Sequence, residues 1–417
     1  MLDIKFIREN VDLVKGAVVK KYINFNVDEL LALDEKRLFL LREVESIRAV
    51  QNAESELIAK MMHTEEKFKS IEKMKILKED LVKKETELRK IEEEWQNLML
   101  QVPNVPEPSV PDGESDEQNQ EIEKWGDLPE FSFEPKSHVE LMETLKLADF
   151  ERGSKVAGYR GYFLTGDGAR LTLALTMFAM DFLVKRGFIP MIAPSMVKAD
   201  NFVGTGWLPQ GEEEVYKTQD EMYLAGTAEV PLMGFHAGEI MEEKDLPRKY
   251  VAFSPCFRRE AGSHGKDNRG IYRVHEFYKM EQVVLCKASH QESVRLHEEI
   301  TFNAKEIMQA LKIPYRVVIN CGGDLGLGQV KKYDIESWVP SEKRYRETHS
   351  ASYFHDFQTR RLNIRYRDGE GKIRFAHSLN NTAFAAPRIL ISLIENYQEA
   401  DGSVRIPEVL KPYFNNK

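Results

Sequence analysis

The stretch Cys256-Phe-Arg-Arg-Glu-Ala-Gly-Ser-His-Gly-Lys-Asp-Asn-Arg-Gly-Ile-Tyr-Arg-Val-His-Glu-Phe-Tyr-Lys-Met-Glu-Gln-Val283 carries more structural information than any other in the chain. Strand-favouring residues end at Phe257-Arg258-Arg259-Glu260 and resume at Val274-His-Glu-Phe277. Gly262, Gly265 and Gly270 break the segment between them, which predicts an antiparallel hairpin with cations at its mouth. Arg258, Arg259, Lys266, Arg269 and Arg273 suit triphosphate oxygens. Glu260 can accept a hydrogen bond from an exocyclic amine, and Phe277 offers a flat face for a base. These three needs together describe bound ATP. A surface hairpin with ordinary charges would not be expected to combine all of them.

Working outward, the 417 residues suffice for two or three domains. Their 42% hydrophobic and 30% charged content marks a soluble globular chain. The longest apolar candidate, residues 171–184, is interrupted by Asp181, so no membrane span is expected. The mixed-charge start Met1-Leu-Asp-Ile-Lys-Phe-Ile-Arg-Glu9 lacks the layout of a secretory signal and points to the cytoplasm. Cys256, Cys286 and Cys321 are far apart and form no Cys-x-x-Cys. Buried thiols are expected, with neither disulfides nor zinc. A net charge of −9 opposes indiscriminate nucleic-acid binding but leaves room for a local basic surface.

Residues 27–100 are almost free of Gly and Pro, and their apolar residues recur at heptad spacing. Leu33, Leu40 and Ile47 form one series beside Leu30 and Val44. Met74, Leu81, Leu88 and Trp95 form another beside Leu77, Ile91 and Leu98, with Lys84 as the polar interruption. Two antiparallel helices about 50 Å long are predicted, turning near His63 or Thr64. Between Lys60 and Lys78 six lysines face three acids, a local excess of about +3. Residues 102–120 then hold four prolines and a run of acids, as an extended linker would. The expected domains are 1–101 (helical arm), 102–125 (linker) and 126–417 (compact domain). In the last, a helix over 171–185 and strands over 315–320, 333–339 and 361–366 are predicted. The Gly-rich run Cys321–Gly328 lacks nucleotide-loop spacing and is read as a turn between strands.

The hairpin resembles motif 2 of the class II aminoacyl-tRNA synthetases, and its wording is most similar to the seryl-tRNA synthetase family. Gly187–Pro194, continuing to Gly204–Pro209, resembles motif 1, where that family forms its homodimer interface. Asn380–Arg388, opening a helix through Tyr397, resembles motif 3. The resemblance implies an α+β chain: an antiparallel coiled-coil arm, then an antiparallel sheet flanked by helices.

It also implies activation of L-serine by ATP with Mg2+ and transfer to tRNA(Ser), and by extension to tRNA(Sec). Arg258 and Arg388 take the catalytic roles, and ATP binding falls to Arg258, Arg259, Glu260, Phe277, Glu347, Thr348, His349, Ser350 and Arg388. Serine falls to Thr227, Ala228, Glu229, Arg258, Glu281 and Thr382, with Glu347 and Ser350 holding the metal. Lys67, Lys69, Lys73, Lys75 and Lys78 would meet tRNA phosphates. His349, Tyr353, Arg259 and Pro387 depart from the family's usual residues. Two rival readings are an amino acid:carrier protein ligase and a non-catalytic paralogue. The long arm opposes the first, and the retained charged residues oppose the second.

Overall fold

The structure is a computed structural model that describes residues 1–62, 65–262, 265 and 267–414. The expected turn at His63 or Thr64, and the candidate phosphate-binding cation Lys266, lie outside the described residues. The chain divides into two compact units. One comprises residues 2–18 and 23–103; the other comprises residue 1, residues 19–22 and residues 104–417.

The first unit is built on two long helices, Val27–Lys60 and Glu65–Met99. Asn26 caps the first, its side chain accepting from the amides of Asp28 and Glu29. Leu40, Val44, Leu88 and Ile91 form the buried seam, as the heptads predict. The polar interruption is neutralised across it, since Lys84 Nζ lies 2.8 Å from Glu43 Oε2. Nearer the base, fully buried Asp34 is paired with both Arg8 and Arg37, and Arg37 also covers the Trp95 ring. Farther out the seam positions Ile47, Met74 and Leu77 are only half-buried, while Leu57, Phe68 and Ile76, which lie off the heptad series, are more than half exposed.

The second unit centres on an eight-stranded sheet. Its strands are β1 (Gln120–Trp125), β2 (Ile189–Ile192), β3 (Arg248–Phe257) and β4 (Glu276–Cys286), followed by β5 (Tyr315–Ile319), β6 (Lys331–Val339), β7 (Arg344–His355) and β8 (His377–Ala385). They lie in the order β1-β5-β6-β7-β8-β4-β3-β2. Every pairing is antiparallel except β2 with β3. Helices Gly166–Val184, His290–Ala310 and Ala386–Asn396 supply the rest of the core, burying Leu175, Leu183, Leu296, Ile300, Ile389 and Leu393. All three cysteines are buried and free. Among the described residues no helix is long and apolar enough to cross a membrane.

The fold departs from expectation in two places. Instead of one strand over residues 361–366, Phe357–Leu362 is a short helix that buries Phe357 and Leu362 and ends at Asn363 in the left-handed conformation. The following strand, Arg365–Arg367, pairs in a separate small sheet. Tertiary burial of the two apolar ends decides the local structure there. The Pro-rich stretch is extended, as its prolines require, yet from Asn104 onward it is packed rather than free. Asn104 Nδ2 donates to the carbonyls of Gly328 and Phe354, Glu107 N donates to Val330 O, and residues 120–125 form the sheet's first strand. The Gly-rich run does connect β5 with β6. A Cβ at Gly322 would stand 1.9 Å from the carbonyl of Lys20, so the close approach demands glycine.

Candidate active site

The predicted hairpin is formed by β3 and β4, in register from Glu276 opposite Phe257 to Leu285 opposite Arg248. At its mouth Glu260 has φ 54°, an uncommon backbone conformation for a residue with a side chain. It accepts from Arg273 Nη1 at 2.9 Å, and Arg273 is also paired with Asp267 at 3.2 Å. The Arg258 guanidinium lies 5.5 Å from the Phe277 ring and 5.8 Å from that of Trp207. Arg258, Glu260, Arg273 and Phe277 all line one cleft. Arg259 and Arg269 are exposed, and neither lines it.

Arg388 enters the same cleft from the first turn of the helix Ala386–Asn396. Pro387, a departure from the family's usual glycine, sits at the helix start, where the missing amide proton has no intrahelical partner to lose. Arg388 Nη1 lies 3.1 Å from Glu347 Oε2, and its guanidinium lies 4.8 Å from the Tyr272 ring. Burial acts to raise the Glu347 pKa, but Arg388, Lys332 and Arg258 outweigh it and hold this carboxyl well below the usual range. Glu347 therefore stays ionised at neutral pH.

A β-bulge sets which residues of β7 reach the cleft. Ile335 pairs with His349 and Glu336 with Glu347, so Thr348 is the extra residue. The shift brings Glu347 and Ser350 to the cleft together, although they are three positions apart. Thr348 also borders it, with its hydroxyl donating to Ile335 O. His349 does not line the cleft. It is buried beside Thr348 Oγ1, and burial pushes its imidazole down to about 4, leaving it neutral at pH 7. Tyr353, another departure, is fully buried and donates to Glu107 Oε2.

The carboxylate and hydroxyl oxygens of Glu347 and Ser350 are hard donors of the type Mg2+ takes. No group of three His, Cys, Asp or Glu suited to a metal occurs among the described residues, and Mg2+ commonly completes its shell with phosphate oxygens and water.

The inner end of the cleft is lined by buried polar side chains. Glu281 on β4 faces Thr382 on β8 in direct register, and Thr382 Oγ1 lies 3.4 Å from Glu281 Oε2. Thr227 and Glu229 border the same space, while Ala228 between them is buried and does not line it. Glu229 Oε1 accepts from Gln358 Nε2 at 2.7 Å. Burial pushes the Glu229 carboxyl up to about 7; the bond from Gln358 opposes that shift and the charge of Glu281 adds to it. Lys279 Nζ lies 2.5 Å from Glu281 Oε2 and 2.8 Å from Thr227 Oγ1. Sequence alone assigns nothing to Lys279 or Tyr272. A lysine two residues before a glutamate, in the middle of an apolar strand, is the available signal for the first; Tyr272 gives none.

An antiparallel sheet with a motif 2 hairpin, a motif 3 arginine at a helix start and a carboxylate between them defines a class II aminoacyl-tRNA synthetase. Residues 213–397 match the tRNA synthetase class II core domain (G, H, P, S and T), and residues 1–106 match the seryl-tRNA synthetase N-terminal domain. A serine–tRNA ligase of Deinococcus radiodurans is 48% identical over 100% of this chain and 98% of its own. The seryl-tRNA synthetase of Pyrococcus horikoshii, solved with ATP, has a TM-score of 0.91 and 41% identity, covering 100% of this chain and 99% of that one. The cytoplasmic serine–tRNA ligase of Naegleria fowleri, solved with AMP, has a TM-score of 0.88 and 33% identity, covering 100% and 98%. The chain belongs to the seryl-tRNA synthetase family, and its activity is the ligation of serine to tRNA.

Proposed function

We propose that the outer cleft binds ATP and its inner end binds L-serine. The adenine would stack on Phe277, with Glu260 accepting from its amine and Arg258, Arg273 and Arg388 meeting the phosphates. Glu229 would pair with the serine ammonium, while Glu281 and Thr382 would receive the side-chain hydroxyl. The observation that carries this reading is the meeting of both sets in one cleft, cationic and aromatic at one end, carboxylate-lined at the other.

The serine carboxylate is ionised at neutral pH and needs no general base to attack the α-phosphorus. Pyrophosphate leaves and seryl-adenylate forms. Arg258 and Arg388 act by alignment and by stabilising the charge that grows on the phosphoryl oxygens. Mg2+, held by Glu347 and Ser350, would supply further charge neutralisation at the phosphates. A terminal ribose hydroxyl of tRNA then takes the seryl group and AMP leaves. ATP/pyrophosphate exchange measured across the twenty amino acids tests this reading. Magnesium-dependent exchange with serine alone supports it, and exchange with another amino acid at an equal rate overturns it.

The arm is proposed to grip tRNA(Ser), by the same resemblance tRNA(Sec), through its outer lysines. Lys69, Lys73, Lys75 and Lys78 are exposed, whereas Lys67 is half-buried and donates to Met61 O. Residues 1–101, 102–125 and 126–417 remain the proposed functional division, with 104–125 packed on the catalytic fold. A homodimer is supported by an apolar surface around motif 1. The edge strand β2 carries Ile192 at 83% exposure, and Leu173 on the helix Gly166–Val184 is 62% exposed. A cytoplasmic location is proposed on the ground that tRNA charging takes place there.

A further inference from the structure

Lys279 is almost fully buried on central strand β4, which is a costly place for an ammonium unless strong acceptors surround it. Its two close acceptors are Glu281 Oε2 at 2.5 Å and Thr227 Oγ1 at 2.8 Å. Thr227 Oγ1 also accepts from the amide of Glu229 at 3.2 Å. A hydroxyl has two lone pairs and one proton. Both lone pairs of Thr227 are therefore engaged, and only its proton remains for a substrate.

This count changes the role the Thr-x-Glu pattern suggests, in which threonine would accept from the substrate ammonium. With Lys279 in place, Glu229 alone of that pair can accept from an ammonium. The Thr227 hydroxyl can instead donate, as a substrate carboxylate or acyl oxygen requires. On the other side, Lys279 binds Oε2 of Glu281 and leaves Oε1 to receive a hydroxyl proton. It also neutralises Glu281, so the pocket offers little to a positively charged side chain.

We propose that Lys279 is the positioning residue of the amino-acid pocket: it makes Thr227 a donor and holds Glu281 as a charge-balanced acceptor for a β-hydroxyl. The inference rests on the serine site described under the proposed function. It adds a prediction about which side chains are refused. A β-ammonium in place of the hydroxyl, as in 2,3-diaminopropionate, would meet a glutamate whose charge is already matched.

The test is pyrophosphate exchange by the full-length enzyme with serine, alanine and 2,3-diaminopropionate. The unsubstituted enzyme should activate diaminopropionate at least about 100-fold less well than serine, since a buried ammonium with no unmatched counter-charge is costly. Activation at a comparable rate overturns the proposal without any mutation. Lys279→Met should lower the serine to alanine ratio of kcat/KM by about 10-fold or more, raise the diaminopropionate to serine ratio, and leave the KM for ATP unchanged. Lys279→Arg, which keeps the charge, should preserve more of the serine to alanine ratio than Lys279→Met does. A merely structural lysine would lower all three substrates together, and that result overturns the proposal.

Glu281→Ala separates the two layers of argument. If it leaves the serine to alanine ratio unchanged, the serine site itself is misplaced. If it collapses the ratio while Lys279→Met does not, only the role of Lys279 is wrong.

Discussion

The arm and the cleft are both rich in charge, and they use it in opposite ways. Along the arm the ion pairs Lys36–Glu87 and Arg48–Glu85 are solvent-exposed, so each contributes little to stability and stability comes from the Leu40–Val44–Leu88–Ile91 seam. In the cleft Glu229, Lys279 and Glu281 are buried, where each charge is costly unless matched atom for atom. Under the proposed function, arm charges that cost little to unpair would meet a polyanion, while the matched charges of the cleft would serve a small substrate.

The comparison breaks most severely if the cleft's arginines prove dispensable. Arg258→Ala and Arg388→Ala should each slow exchange by two to three decades, about 3 to 4 kcal/mol of transition-state stabilisation. Near-native exchange by either variant, followed by single-turnover kinetics, would remove that residue from the mechanism.

A smaller effect sharpens the contrast through pH. The Glu229 carboxyl is raised to about 7 in the fold, above its ordinary value near 4.5. The fold therefore binds this proton more tightly than the unfolded chain, and stability is lost as pH rises through that window. A serine ammonium needs the ionised form. The KM for serine should fall by up to about tenfold per unit as pH rises from 6 toward 7, then level off, and Glu229→Gln should flatten the profile. A pH-independent KM in the parent enzyme would contradict the role given to Glu229.

The smallest effect lies in the arm. Lys84 interrupts the seam and is held by Glu43, with 27% and 33% of their side chains exposed. Lys84→Leu should change arm stability by no more than about 1 kcal/mol, because a partly exposed pair is worth little. Exchange should not change. A large loss of helicity by circular dichroism would show that the pair specifies the arm's register.

Legibility in the sequence follows the same division. Heptads reveal the arm because one geometric period repeats, and the hairpin is visible because glycine, cations and a late aromatic fall in one loop. Long-range consequences of backbone irregularity are not visible. The bulge at Thr348 turns Ser350 toward the cleft and His349 away, whereas simple alternation would place Glu347 and His349 on one face. The partners of Lys279 come from the segment around Thr227 and from its own strand, a meeting that only the fold creates. Tyr272 likewise gains importance only once Arg346 and Arg388 lie over its ring.

The division of labour between the two regions is tested most directly by replacing residues 50–78 with a short glycine-rich turn. This removes the outer arm and its lysines while keeping Leu40, Val44, Leu88 and Ile91. Serine-dependent pyrophosphate exchange and charging of tRNA(Ser) are then measured on the same preparation. Exchange should stay within about twofold of the parent, while charging should fall by about 100-fold or more at physiological salt, as lost phosphate contacts require. Undiminished charging would contradict the account, because the arm would then have no part in holding tRNA.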